Sequence, residues 1–265
     1  MVKERLDRLL FRKNLFSSRE KALRAILAGE VYLEGKRIDK PGTRVESEAR
    51  IEVKKRSSYV SRGGEKLEKA LKEFGIDIRG RIALDAGAST GGFTDCLLKH
   101  GAKKVYAVDV GYGQLAWRLR KDPRVVVLER RNIRYLKKEE LEEEIDLVTL
   151  DLSFISLTKV LKEISNLLTP QGEIIALIKP QFEAGREKVK RGGVVRNPGV
   201  HREVILKVMD KAKEEGLKTR ELIPSPLRGP AGNIEYFVYL TKEGKEIEDI
   251  PEKIREVVNQ AHSEE

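Results

Sequence analysis

The sequence predicts an α/β protein: a small N-terminal αα-β module followed by a larger doubly wound domain with a mostly parallel sheet. Three observations predict it. Within the first sixty residues, apolar positions fall at helical spacing and are followed by short strand-like runs. Beyond residue 57, short continuous apolar runs alternate with segments of helical period, the pattern of strands buried on both faces. The charge is also uneven: residues 1–60 carry sixteen Lys/Arg against nine Asp/Glu, which is +7 of the chain's formal +10. The length of 265 residues suits a medium domain plus a small module. The expected boundary lies in the polar joint Lys54-Lys55-Arg56-Ser57-Ser58, giving domains 1–56 and 57–265.

Composition removes several function classes. No stretch approaches the ~18 apolar residues of a membrane span, and MVKERLDRLL lacks the apolar core of a signal peptide. The single Cys96 excludes an intramolecular disulfide, so the reducing cytoplasm is the expected compartment. With three scattered histidines, His100, His201 and His262, no structural metal site is expected. A basic N-terminal module is the electrostatic footprint of a nucleic-acid partner.

In the first module, Leu6, Leu9 and Leu10 place a helix over residues 4–13. Ser17 with Glu20 reads as a capping box opening a second helix, with Ala22, Leu23, Ile26 and Leu27 on one face. Gly29 fits the C′ position that ends it. Val31-Tyr32-Leu33 then reads as a strand, Glu34-Gly35 as a turn, and Ile51 and Val53 as part of a return strand. The run Arg5-Leu6-Asp7, Ser18-Arg19-Glu20-Lys21-Ala22, and Gly29-Glu30-Val31-Tyr32-Leu33-Glu34-Gly35-Lys36 resembles the S4 RNA-binding domain, over residues 3–55. Glu34-Gly35 stands where Asn-Gly is common. Arg5, Arg8, Arg12, Arg19, Lys21 and Arg24 are the candidate phosphate contacts on the two helices.

In the second domain, strands are expected at residues 82–84, 105–108, 125–128, 145–150 and 174–178. Gly101, Pro123, and Pro170 with Gly172 end the helical segments between them. A surface helix is expected near the C-terminus, carrying Ile250, Ile254, Val257 and Val258. The first strand runs into Asp85-Ala86-Gly87-Ala88-Ser89-Thr90-Gly91-Gly92-Phe93, a turn that lets a ligand approach the backbone. It matches neither G-x-G-x-x-G nor a P-loop, which disfavours a phosphate ligand. Asp109 ends the second strand, where an acid takes ribose hydroxyls. A nucleoside cofactor is expected, and S-adenosylmethionine (SAM) fits better than NAD.

Four polar residues fall at strand ends or a helix start: Asp151, Lys179, Glu235 at the start of the last strand, and Lys66 after Ser61-Arg62-Gly63-Gly64. Two lysines and two acids can neutralise one another in a cleft more cheaply than any lone charge. Across nearly its whole length the chain resembles the TlyA family, also called haemolysin A, which includes ribosomal RNA 2′-O-methyltransferases. The motifs are residues 59–67, 85–95, 151–156 and 179–183. The resemblance extends to the FtsJ-like methyltransferases, whose Lys-Asp-Lys-Glu tetrad matches Lys66, Asp151, Lys179 and Glu235. It implies a Rossmann-like, mostly parallel seven-stranded sheet ending in an antiparallel strand, here residues 234–240. It implies SAM contacts at Gly92, Phe93, Asp109, Asn132 and Asp151, where Asn132 replaces a common aspartate. Asp85, Gly87, Ser89 and Gly91 join the candidate cofactor set, and Arg62 the candidate RNA set.

The expected activity is methylation of a cytidine ribose 2′-hydroxyl in ribosomal RNA, of the large subunit or of both. The partners are ribosomal RNA and ribosomal subunits, with no membrane and no obligate protein partner. Lys179 is expected either to stabilise an alkoxide or to take the hydroxyl proton. The rivals are a non-catalytic RNA-binding assembly factor, which would transfer no methyl group, a base methyltransferase, and a membrane-lytic haemolysin. Lysis needs an apolar or strongly amphipathic segment, and the candidates here are short and heavily charged.

Overall fold

A computed structural model describes residues 3–27, 29–53, 58–189 and 192–263. The chain divides into two compact units, residues 1–58 and 59–265. Of the expected joint at residues 54–58, residues 54–57 lie outside the described residues.

In the first unit, β1 (Lys3–Arg5) leads into α1 (Leu6–Arg12), and α2 (Arg19–Leu27) follows. Then come β2 (Val31–Leu33), β3 (Lys36–Arg37), β4 (Arg44–Glu46) and β5 (Ile51–Val53). The order β3-β2-β5 makes one antiparallel sheet, and β1 pairs with β4. The return strand at Ile51 and Val53 is present, but β3 follows the turn directly. Glu34 and Gly35 both take positive φ, 47° and 76°, the backbone of a tight two-residue hairpin turn. Residues 3–5 are extended rather than helical because they pair with β4. The cap of α2 is Ser18 rather than Ser17: its Oγ accepts the Lys21 N–H at 3.2 Å. Leu6, Leu9, Leu10, Ala22, Ala25, Ile26, Val31 and Val45 form the core.

Asp7 sits fully buried beside that core. Arg5 Nε donates to its Oδ1 at 3.0 Å, and Arg19 Nε to its Oδ2 at 2.8 Å. Burial pushes the Asp7 carboxyl up, but the two guanidiniums together hold it below the ordinary carboxylate range.

The second unit contains, in order, α3 (Arg62–Phe74), β6 (Ile82–Ala86), α4 (Gly92–Lys99), β7 (Lys104–Asp109), α5 (Trp117–Arg120) and β8 (Val125–Glu129). They are followed by β9 (Ile145–Leu150), α6 (Leu161–Leu167), β10 (Leu168–Ile178), α7 (Pro180–Glu183), α8 (Pro198–Glu214), β11 (Lys218–Pro224), β12 (Tyr236–Thr241) and α9 (Ile250–Ser263). The seven-stranded sheet has the order β11-β12-β10-β9-β6-β7-β8. Strands β8, β7, β6, β9 and β10 run parallel, and β12 runs antiparallel to both β10 and β11. The antiparallel strand therefore does not end the sheet. It lies inside β11, an edge strand whose charged run Lys218-Thr219-Arg220-Glu221 conceals it in the sequence.

Alternation along each strand feeds two cores. Leu84, Tyr106, Val148 and Ile174 face one layer with α6, α8 and α9; Ala83, Val105, Leu147 and Ile175 face the other with α3 and α4. The C-terminal helix α9 packs into the first layer through buried Ile254, Val257, Val258 and Ala261, more deeply than a surface helix would. Among the described residues, no helix is long and apolar enough to cross a membrane.

Replacing Asp7 by Asn should destabilise the first unit at neutral pH, because an amide oxygen cannot hold two guanidiniums as a carboxylate does. The folded carboxyl is depressed, so its contribution is full above the unfolded value near 3.9 and lost as pH falls through the folded one. Hydrogen exchange at Leu9 and Leu10 should therefore accelerate in Asp7→Asn at pH 7, with a smaller difference between the two proteins near pH 3.

Candidate active site at the end of the sheet

The site begins with how the end of β6 is fastened. Asp151 N–H, just past β9, donates to Ala86 O at 3.0 Å; Gly87 and Ala88 N–H both donate to Val108 O of β7, at 2.9 and 3.1 Å. Gly87 has φ +86°, and a Cβ there would lie 2.6 Å from the Asp151 carbonyl oxygen. Glycine is thus required twice over, by conformation and by the neighbouring backbone. Asp109, half-buried at the end of β7, accepts Ser89 N–H at 2.8 Å and Gly111 N–H at 2.7 Å.

Two clefts open on this edge and share a wall of Gly87, Ser89, Asp151, Ser153, Phe154 and Phe182. The first, about 940 Å³, adds Asp109 and Asn132 with the aliphatic Val110, Ile133 and Leu152. The second, about 630 Å³, contains Lys66, Lys179 and Glu235 with Arg62, Gly92 and Phe93. Of the expected cofactor residues, Gly87, Ser89, Gly92, Phe93, Asp109, Asn132 and Asp151 line one or both clefts.

Asp85 and Gly91 line neither. Asp85 is completely buried below the loop, where its Oδ2 accepts Thr94 N–H at 2.9 Å and the Thr94 hydroxyl at 2.6 Å. The Thr149 hydroxyl reaches its Oδ1 at 3.2 Å. Asp85 fixes the start of α4 and does not face a ligand. Burial first, and the charge of Asp151 in addition, push its carboxyl up to about 7 against the threonine hydrogen bonds. At Gly91, φ is +94° and a Cβ would strike Leu119 and Leu115. Gly92 lines the second cleft, but its missing Cβ leaves room for Ser61 Oγ and the Gly63–Gly64 backbone. Its smallness seats the first turn of α3.

The four candidate catalytic residues converge as two ion pairs. Lys66, in the second turn of α3, places Nζ 2.6 Å from Glu235 Oε2; both are buried. Lys179, just after β10, places Nζ 2.6 Å from Asp151 Oδ1 and donates to Ser153 Oγ at 3.1 Å. Glu235 precedes β12 instead of starting it. Proline at the first position of α7 turns the chain directly after Lys179.

Sequence reasoning missed Ser153, Gln181 and the pair Phe154–Phe182. Phe154 is 91% exposed at φ +64°, with its ring centroid 5.0 Å from that of Phe182. These residues lie inside the quoted motifs, but a left-handed phenylalanine leaves no mark in composition or period. Among the candidate RNA contacts, Arg5 and Arg19 hold Asp7, Arg24 pairs with Glu20 and Arg12 with Glu4. Lys21 Nζ donates to Ser17 Oγ at 2.8 Å, and Arg8 is exposed. Arg62 is exposed at the mouth of the second cleft.

Asp85 yields a pH signature. Its folded pKa lies above the unfolded one, so between roughly pH 4 and 7 the folded chain holds a proton that the unfolded chain has released. Stability contributed by this group is full at low pH and falls by at most about 1.4 kcal/mol per pH unit across that window. Denaturant titrations should show the stability of wild type relative to Asp85→Asn declining from pH 5 to pH 7 and levelling above it.

Residues 59–242 match the FtsJ-like methyltransferase model and residues 4–51 the S4 domain model. YqxC of Bacillus subtilis (strain 168) is 49% identical over 265 residues, covering 98% of this chain and 94% of that one. The 16S/23S rRNA (cytidine-2'-O)-methyltransferase TlyA of Mycobacterium tuberculosis is 48% identical over 238 residues, covering 89% of each. A solved Streptococcus thermophilus structure superposes with TM-score 0.78 at 44% identity, covering 100% of this chain and 97% of that one. By these matches the chain belongs to the FtsJ-like methyltransferase family and carries an S4 domain ahead of it.

Proposed function

We propose that the chain transfers a methyl group from SAM to the 2′-hydroxyl of a cytidine ribose in 23S ribosomal RNA. The observation that carries this reading is the Lys179–Asp151 pair: Asp151 stands on the wall common to the two clefts, and Lys179 lines the second. One cleft suits the donor and the other the acceptor, and their reacting atoms meet at that wall. The relative from M. tuberculosis supports the substrate: its name gives cytidine-2′-O methylation, with 23S RNA as one of two substrates.

The first cleft fits an adenosine. Asp109 offers a carboxylate for ribose hydroxyls, Asn132 an amide for a base edge, and Val110, Ile133 and Leu152 apolar contacts for its faces. Residues 85–93 carry no lysine or arginine, so the loop suits a ligand without phosphate. Bound there, SAM supplies an electrophilic sulfonium methyl.

The protein's own work falls to the second cleft. A lysine ammonium has three donors, and Lys179 directs two at Asp151 and Ser153. The third is left for the ribose oxygen. A ribose hydroxyl is a weak nucleophile, and a fixed donor at that oxygen favours the negative charge it develops; the oxygen–methyl bond forms as the methyl–sulfur bond breaks, and the hydroxyl proton leaves to water. Asp151 holds Lys179 in register with the donor cleft, and Lys66 with Glu235 forms a rigid floor for the ribose. Asp151 and Glu235 both face the acceptor, so removing the lysine from either pair leaves a carboxylate unpaired there.

RNA affinity is assigned in large part to the S4 domain. Arg8 and Lys21 extend the positive surface beside the pairs made by Arg5, Arg12, Arg19 and Arg24; in the second unit, Arg62 is the candidate contact at its cleft. Arg8→Ala with Lys21→Ala should weaken RNA binding and lower the salt slope of log affinity by about one for each phosphate no longer neutralised. Filter binding at several salt concentrations reads this directly; an unchanged slope contradicts the assignment.

Lys179→Ala should lower the single-turnover rate by about 10²–10³-fold, as removal of one oxyanion donor does elsewhere, with SAM affinity unchanged. Lys179→Arg should not rescue it, because the planar guanidinium cannot reproduce the ammonium's geometry between Asp151 and Ser153. Transfer of labelled methyl from SAM to separated ribosomal subunits, followed by mapping, tests the whole reading: label belongs on one cytidine ribose of the large subunit. Label on a base, or none on any RNA, contradicts it.

A further inference from the structure

Gln181 is drawn into neither ion pair, yet its side chain lines the cleft that holds both. Its Nε2 lies 3.5 Å from Glu235 Oε1, while Glu235 Oε2 is engaged by Lys66. Its Oε1 is fully shielded and, among the described residues, has no hydrogen-bond partner. The neighbouring carboxylate fixes the amide's orientation. Turning it would set the carbonyl oxygen against Glu235, acceptor facing acceptor. Native proteins leave few buried acceptors unpaired, and those they leave ask for an explanation. The two lysines of the same cleft donate to other groups, Lys66 to Glu235 and Lys179 to Asp151 and Ser153.

We propose that, when RNA enters the cleft, a small shift of the Gln181 side chain uncovers Oε1, which accepts a hydrogen bond from the target nucleotide, and that the ribose 2′-hydroxyl is the donor. This deepens the ribose-methylation reading and rests on it. Within an RNA chain the 3′ and 5′ oxygens of the target are esterified, so the 2′-hydroxyl is the ribose's one O–H. The cytosine amino group is the target's other donor. The ribose is favoured because Gln181 is braced on Glu235 of the Lys66–Glu235 floor and is separated in sequence from Lys179 only by Pro180. With Lys179 donating to the 2′-oxygen and Gln181 receiving its hydrogen, the hydroxyl's rotation is fixed and a lone pair is left for the methyl. Gln181 orients the ground state; an amide is no base at neutral pH and makes or breaks no covalent bond here.

The test is a double-mutant cycle on binding. An RNA fragment containing the cytidine mapped by the labelling experiment is made with a 2′-hydroxyl, with 2′-hydrogen, or with uridine at that position. Each is titrated into wild type, Gln181→Leu and Gln181→Met in the presence of S-adenosylhomocysteine. Wild type should favour the 2′-hydroxyl over 2′-hydrogen through Lys179 and Gln181 together. Both variants should keep the Lys179 share and lose about five- to tenfold of that preference, the range of one neutral hydrogen bond. All three proteins should respond alike to uridine. SAM affinity of the variants, measured by calorimetry, should match wild type.

A 2′-hydroxyl preference as large in both variants as in wild type overturns the proposal. So does a preference for cytidine over uridine that vanishes with Gln181, which would assign the oxygen to the base. A tenfold loss of SAM affinity in the variants would assign it to the cofactor and likewise overturn the proposal. Failure of the ribose-methylation reading itself shows separately, as wild type that methylates no ribose. Agreement between the Leu and Met variants excludes a packing artefact of either side chain.

Discussion

The catalytic unit depends on one close approach, the backbone of Gly87 against the carbonyl of Asp151. The Asp151 N–H to Ala86 O bond continues the β6–β9 ladder past the last strand residue, and Gly87 and Ala88 pin the same chain to Val108. A side chain at Gly87 would stand 2.6 Å from the Asp151 oxygen, so the two chains could not pass at this distance. That approach sets where Asp151 projects. Through Asp151 it sets Lys179, and through the shared wall it joins the two clefts. Parallel sheets place their ligands at the carboxyl ends of strands because successive loops diverge there. Here the divergence is held narrow on the β6–β9 side.

Charge follows the same economy. Burying a lone lysine or carboxylate is expensive, and pairing each with its opposite makes the cleft tolerable without neutralising its chemistry. The two pairs come from four separate places in the chain: α3, the end of β9, the end of β10 and the residue before β12. Each pair therefore ties the edge of the site to the sheet. Asp85 extends the network downward, hydrogen-bonded by Thr94 and Thr149, and its pKa is raised by burial first and by the nearby charge of Asp151 in addition. A fixed array of this kind needs little rearrangement when a substrate's charge develops, which is the economical form of electrostatic catalysis.

Much of this is legible in the residues. Uninterrupted apolar runs mark the five parallel strands, since strands covered on both faces need little alternation. The glycine loop and Asp109 mark the cofactor end, and the tetrad comes from family resemblance rather than from any periodicity. Other features are three-dimensional and leave no local signal. Strand β11 reads as a charged connection because it is an edge, with alternate side chains in solvent. Strands β1, β3 and β4 are two or three residues long and too short for a period. Asp85 and Gly91 stand in the right motif but face the protein interior, and Gly92 makes room for Ser61 rather than for a ligand. Arg5 and Arg19 look like free surface cations until Asp7 is seen between them.

We propose that the two clefts form one donor–acceptor site joined at Asp151, and a crystal structure of the chain with S-adenosylhomocysteine tests this. Adenosine should lie between Asp109 and Asn132, with the sulfur at the shared wall and facing Lys179 Nζ across the second cleft. A ligand seated away from Asp109 and Asn132, or one whose sulfur points away from Lys179, would contradict it.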